Sequence, residues 1–209
     1  MAYAVGLIAT DGCLYKDGRH MSLTTKDLDL AHTFQKCLGI RVKIGYKRSG
    51  FTGRKDCRNV QFGDVVFYRW LVDIGLTPNK SKTIPKLKIP DRYFFDFLRG
   101  CFDGDGSIYA YWDPRWKSSY MFYIQFASAS KPFLSWLVDT ITRLADVKGK
   151  IQPMRSRAHQ LVFAKSSSIR LVSKMYHSPD IPALKRKLAK VRRIITMNER
   201  HNQKSARVL

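Results

Sequence analysis

Glutamate is almost missing from this sequence: there is one, Glu199, against fifteen aspartates. Acid is therefore placed at turns and helix caps, where the short carboxylate excels, and not along helix faces. Negative charge is scarce altogether, with 16 acidic residues against 38 lysines and arginines and a formal charge of +22. Self-repulsion of that size opposes compactness, and the natural offset is a polyanionic partner, nucleic acid first. No apolar run reaches 18 residues and the basic residues are not gathered on one amphipathic helix, so no membrane partner is expected. Cysteine is sparse too. Cys13, Cys37, Cys57 and Cys101 form no C-x-x-C pair and have no histidine at zinc-finger distance. Reduced thiols in an intracellular protein follow, without a zinc site. No signal or transit peptide is read at the N-terminus, and the compartment (organelle, bacterial cell or phage host) is not encoded.

What is present is a sentence written twice. "AVGLIATDG" (4–12) aligns with "LRGCFDGDG" (98–106), so that Gly6 falls on Gly100, Ala9 on Asp103, Asp11 on Asp105 and Gly12 on Gly106. An offset near half the chain means two domain-sized halves rather than a solenoid. The downstream pattern repeats as well. Strands are read at 13–16 and 20–25, a helix at 27–38, strands at 41–47 and 59–63 around a Gly- and Arg-rich hairpin loop 48–58, and a helix at 64–75. The second half gives strands at 107–112 and 119–128, a helix at 131–145, strands at 148–154 and 159–164, and helices at about 166–176 and 183–200. The fold class expected is α+β: two pseudo-symmetric αββαββα halves, each with a four-stranded antiparallel sheet. Boundaries are placed at 1–75, at a linker 76–91 with three prolines and little apolar content, and at 92–209 with a basic terminal helix packing Leu188, Val191 and Ile195.

A mid-helix glycine costs about 1 kcal/mol against alanine. Gly6 and Gly100 share that cost on matching stripes, so each motif helix is expected to pack against the other about a pseudo-twofold axis. Asp11 and Asp105 then meet at two helix C-termini. Like charges at the negative ends of two helix dipoles repel, and a divalent cation resolves the conflict. Two carboxylates with unpaired helix-end carbonyls make an all-oxygen shell suited to Mg²⁺, with Mn²⁺ or Ca²⁺ able to take the same sites. Gly12 and Gly106 are read as part of that metal site, as left-handed helix stops that leave room for a large ligand. "DGDGSIYAYWDP" is not an EF-hand loop, since Ile108 and Pro114 stand where that loop needs Gly and Glu.

These residues resemble the LAGLIDADG homing endonucleases, and the two-copy form resembles their single-chain branch. "GLTPNKSKTI" and "FLRGCFDGDGSI" look typical of it. The first motif departs from the pattern, with Ala9 and Thr10 where Asp-Ala would stand. The resemblance implies a monomeric, intron-encoded, Mg²⁺-dependent endonuclease acting on double-stranded DNA. Asp11 and Asp105 would bind the metals that activate water and stabilise the leaving 3′ oxygen. Each half would cut one strand across the minor groove, leaving short 3′ overhangs in a long pseudo-palindromic target. A basic residue would lie near each scissile phosphate, and the nearest matches are Lys80 and Lys187, beside Lys82 and Lys185. Asp103 has only Ala9 as its counterpart and is read as packing or capping. Intron RNA, bound by a splicing maturase, or a non-catalytic regulator on the same scaffold is the alternative.

A sheet packed on helices must alternate. The polar sides read as Cys13 and Tyr15; Ser22; Arg41, Lys43 and Lys47, with Arg48 in the loop; and Asn59 and Gln61. In the second half they read as Ser107, Tyr109 and Tyr111; Tyr123 and Gln125; and Lys148, Lys150 and Gln152. Val42, Ile44 and Tyr46 are assigned to the core side. This mixture of Lys/Arg, Asn/Gln and Tyr suits base edges in a major groove better than charge alone would.

Overall fold

The computed structural model describes residues 1–48, 53–116 and 119–206. The first half comprises α1 (Ala2–Thr10), β1 (Gly12–Leu14), β2 (His20–Thr25), α2 (Leu28–Leu38), β3 (Ile44–Lys47), β4 (Cys57–Gly63) and α3 (Val65–Asp73). The second repeats it with α4 (Phe94–Asp105), β5 (Gly106–Trp112), β6 (Tyr120–Ser128), α5 (Lys131–Ala145), β7 (Lys150–Pro153), β8 (His159–Phe163) and α6 (Lys165–Met175), and adds α7 (Lys185–Ala206). The strands form two four-stranded sheets in the same order, β1-β2-β4-β3 and β5-β6-β8-β7. Every pairing is antiparallel. This is the α+β, doubled architecture that the repeat implies.

The aspartates sit where a short carboxylate is useful. Asp64 caps α3 by accepting from the Phe67 N–H at 2.9 Å; Asp27, at the N-cap of α2, makes no capping bond to that helix and accepts from Arg186 instead, and α2 ends on left-handed Gly39 (φ 67°). α1 is buried from Tyr3 to Ala9. A helix apolar on every side belongs inside, and its partner is α4. The two helices touch backbone to backbone. A Cβ on Gly6 would lie 2.1 Å from the Phe97 carbonyl oxygen, and one on Gly100 would lie 2.1 Å from that of Tyr3. The paired glycine stripe is thus the seam of the molecule.

Several local expectations change. The strand expected from residue 41 begins at Ile44, so Arg41 and Lys43 lie in the connection before β3. Lys148 likewise precedes β7, which begins at Lys150. Tyr46 does not enter the core. It is 58% exposed and carries the Arg58 guanidinium 4.3 Å over its ring, because the β3–β4 hairpin runs past the helices that would cover it. Part of the expected hairpin loop, residues 49–52, lies outside the described residues. The segment 76–91 is not a solvated tether, for Leu76, Ile84 and Leu87 are all buried. It is stitched to both halves, by the Lys88 N–H to the Ile74 carbonyl at 2.9 Å and by Ser130 Oγ to the Ile84 carbonyl at 2.6 Å. α7 runs on to Ala206 and buries Val191 and Ile194, leaving Leu188 and Ile195 half-covered. No helix among the described residues is long and apolar enough to cross a membrane.

Candidate active site and nucleic-acid face

Each motif helix runs directly into the first strand of its sheet, and the two acids stand at that junction. Asp11 is the C-cap of α1 and Asp105 the last residue of α4. Both are penalised for being charged there. Burial first, then the neighbouring Asp105 charge, pushes the Asp11 carboxyl up to about 6, against the pull of Lys187 and Lys80. Burial also raises Asp105, which feels the same two ammoniums. Lys187 is pushed down to about 8, chiefly by burial, and Lys80 moves in the same direction for the same reason. Asp11, Asp105, Lys80 and Lys187 each feel at least two of the others, so the structure brings all four together.

The lysines are buried, Lys80 at 5% and Lys187 at 9% exposure; Lys187 caps α4, and Lys80 bonds the first residue of the strand that follows α1. Lys80 Nζ donates to the Gly12 carbonyl at the foot of α1. Lys187 Nζ reaches the carbonyls of Phe102 and Gly106 at 2.6 Å, Asp103 at 2.9 Å and Gly104 at 3.0 Å. A cation against unpaired C-terminal carbonyls is the arrangement a helix dipole favours. Lys82 is exposed on the same short 3-10 turn as Lys80, and Lys185 is exposed at the start of α7.

Gly12 and Gly106 correct the expectation made of them. Neither is left-handed; Gly106 is extended, at φ −81° and ψ 159°. Glycine is required because the strand leaves its helix so tightly. A Cβ would come 2.5 Å from Ile8 Cα in one case and 2.6 Å from Phe102 Cα in the other. Their carbonyls, expected to serve the metal, accept from Lys80 and Lys187 instead. Asp103 has the packing role read for it: it is buried and accepts from Tyr3 Oη and from the Leu184 N–H, each at 2.7 Å.

The strand register assembles most of the expected polar faces. In the first sheet Cys13 pairs with Ser22 and Ser22 with Gln61, while Asn59 sits opposite Thr24 and Gly45. Tyr15 Oη donates to Gln61 at 3.4 Å, and Lys47 is exposed at the far end beside Arg48. Ser22 differs from the others in being buried, at 2% exposure, with no hydrogen-bond partner for its hydroxyl among the described residues. In the second sheet Ser107 accepts from Gln125 at 2.7 Å, and Lys150 and Gln152 pair with Val162 and Gln160. Tyr109, Tyr111 and Tyr123 form a stacked trio, with centroids 5.3 Å apart between Tyr109 and Tyr123 and 6.2 Å between Tyr111 and Tyr123. Two residues of these faces went unread. Thr24, bonded to Asn59 at 3.1 Å, follows from carrying the alternation one step beyond Ser22, and Gln160 is brought in by its pairing with Gln152. Arg58 lies on the other side of the first sheet, with Val60 and Tyr46.

Residues 1–66 match the family model described as the LAGLIDADG-like domain. The chain has the LAGLIDADG fold. Among solved structures it is similar to the LAGLIDADG homing endonuclease I-LtrWI bound to target DNA, with a TM-score of 0.60 and 12% identity over 95% of this chain and 90% of that one. It is similar to I-DmoI in complex with DNA and Mn, with a TM-score of 0.55 and 15% identity over 85% and 96%. It is also similar to full-length DUF199/WhiA from Thermatoga maritima, with a TM-score of 0.57 and 15% identity over 100% and 67%. No curated protein matches it in sequence. At these identities the likeness is one of LAGLIDADG architecture.

Proposed function

We propose that the chain is a monomeric, Mg²⁺-dependent, site-specific DNA endonuclease. One observation carries the reading: the glycine seam delivers two carboxylates and two buried ammoniums to a common point where two polar sheet faces begin. Folding does not require that arrangement, since burial disfavours the charged form of both Asp11 and Asp105, and the Asp105 charge adds to the penalty on Asp11. The donor set fits a hard cation. Two carboxylates, with the remaining positions left to phosphate and water, are the kind of donor set that Mg²⁺ favours. Asp11 and Asp105 would hold the cation, and when bound it supplies Lewis-acid stabilisation of charge on the phosphoryl oxygens. Mn²⁺ and Ca²⁺ suit the same oxygens. Lys80 and Lys187 provide fixed positive charge beside the phosphate, pre-organised by the carbonyls they cap.

The polar faces carry recognition, with Lys47, Arg48 and Lys150 toward phosphate and Asn59, Gln61, Gln125 and Gln152 toward base edges. The two faces differ in chemistry, so the target is long and only pseudo-palindromic, and each half cuts one strand to leave short 3′ overhangs. The test is cleavage of a randomised DNA library with Mg²⁺ against EDTA. Recovery of one target family cut on both strands supports the reading, and Asp11→Asn and Asp105→Asn should each abolish double-strand cleavage while sparing binding. A second reading, a DNA-binding regulator, is favoured by the likeness to WhiA along the whole chain. It predicts a selected site that is bound and never cut.

A further inference from the structure

The two halves do not hold their lysines in the same way. Lys80 sits on a turn that secures itself, its own carbonyl accepting from the Thr83 and Ile84 N–H groups at 2.9 and 2.7 Å. That turn is tied down next door by Ser130 Oγ on the Ile84 carbonyl. Lys187 has no such local brace, for it lies in the first turn of α7, which follows the irregular stretch 176–184. The start of α7 is held by the Arg99 Nε on the Pro182 carbonyl at 2.8 Å, by the Lys185 N–H on Asp29 at 3.3 Å and, as the buried tie among them, by Asp103. One of its carboxylate oxygens accepts both Tyr3 Oη from α1 and the Leu184 N–H, three residues before Lys187. The Asp103 carbonyl is itself one of the four that receive Lys187 Nζ. Arg186 adds a bidentate tie to Asp27 at 2.8 and 2.9 Å, which joins α7 to the start of α2 and not to the α4 carbonyls. In the first half the position of Asp103 is taken by Ala9, which cannot make the bond.

We propose that Asp103 is a positioning residue for one of the two cleavage centres: it pins the head of α7 so that Lys187 stands on the α4 carbonyls beside Asp105, while Lys80 is placed without it. The inference rests on the endonuclease reading, and it makes the two centres unequal by construction. Loosening the staple should slow one strand and spare the other.

The experiment uses the full chain, a library-selected target labelled on each strand, and three variants. Asp103→Ala removes both bonds, Asp103→Asn keeps an oxygen for the Leu184 N–H, and Tyr3→Phe removes only the tyrosine donor. Asp103→Ala should slow one strand by about tenfold to a hundredfold relative to the other, the range that a misplaced catalytic group brings, and accumulate nicked DNA. Asp103→Asn should restore most of the balance. In parallel, acylation by an N-hydroxysuccinimide ester, read by mass spectrometry, reports lysine protection whether or not the protein cuts DNA. Lys187 should become reactive in Asp103→Ala and Lys80 stay protected. Equal slowing of both strands, or exposure of both lysines together, would mean general loosening and overturn the proposal; unchanged Lys187 protection would overturn it as well. If the wild-type protein never cuts, yet Asp103→Ala selectively exposes Lys187, the staple is retained and the nuclease discarded.

Discussion

Replacing Asp11 with asparagine should make the metal-free protein more stable as it removes activity. The carboxyl rises from 3.8 to about 6 in the folded chain, even with Lys187 and Lys80 pulling the other way. About two pH units correspond to roughly 3 kcal/mol. The group holds its proton more tightly when folded. The penalty on the folded state is therefore absent below about pH 4, grows between 4 and 6 and is complete above 6. Asparagine has nearly the same shape and no charge, so at pH 7 Asp11→Asn should gain up to about 3 kcal/mol, or roughly 6–12 °C in Tm for a chain of this size. Thermal unfolding of both proteins in EDTA from pH 4 to 8 measures the gap, which should close toward pH 4. Added Mg²⁺ should raise the wild-type Tm and leave the variant's nearly unchanged, since a ligand stabilises only the state that binds it. Equal or lower stability for Asp11→Asn at pH 7, or a gap that persists at pH 4, would refute the claim that an unfavourable charge is stored at the helix junction.

Other outcomes follow from the same geometry. Gly6→Ala or Gly100→Ala drives a methyl into a backbone carbonyl across the seam and should cost about 3 kcal/mol, at the upper end for overpacking, read by urea unfolding. Lys80→Met and Lys187→Met should each lower cleavage by about 10²-fold or more while DNA affinity in EDTA changes little; a parallel fall in affinity would make them plain phosphate contacts. Lys47→Ala and Lys150→Ala should each reduce the slope of log affinity against log salt by about one. Tyr109→Ala and Tyr123→Ala should leave that slope alone and broaden the selected sequence in one half-site.

The doubled architecture was legible because its signal is redundant. Gly6 and Gly100 carry one meaning, close backbone approach, and Asp11 and Asp105 another, and the two agree in both copies. The lysines were picked out only by the family resemblance, which implies a basic residue near each scissile phosphate. Legibility ended where the cause is remote or purely steric. Asp103 finds its partners 100 and 81 residues away, which no local pattern announces. Gly12 and Gly106 look like helix stops, yet what demands glycine is the backbone of a residue four back in the helix being left. Alternation read Arg41, Lys43 and Lys148 as strand because periodicity does not mark where hydrogen bonding starts. Ser22 lies on the expected face, and its burial there is nothing that alternation announces.

The packed strap between the halves bears on how such a protein could be recombined. Lys80 travels on it, Leu87 closes over Gly75, and Ser130 of the following half grips it. A chimaera joined just after Gly75 would inherit its first acid from one parent and that acid's ammonium from the other. The interchangeable module ends near Leu87, and a crossover placed there would also have to match the grip at Ser130.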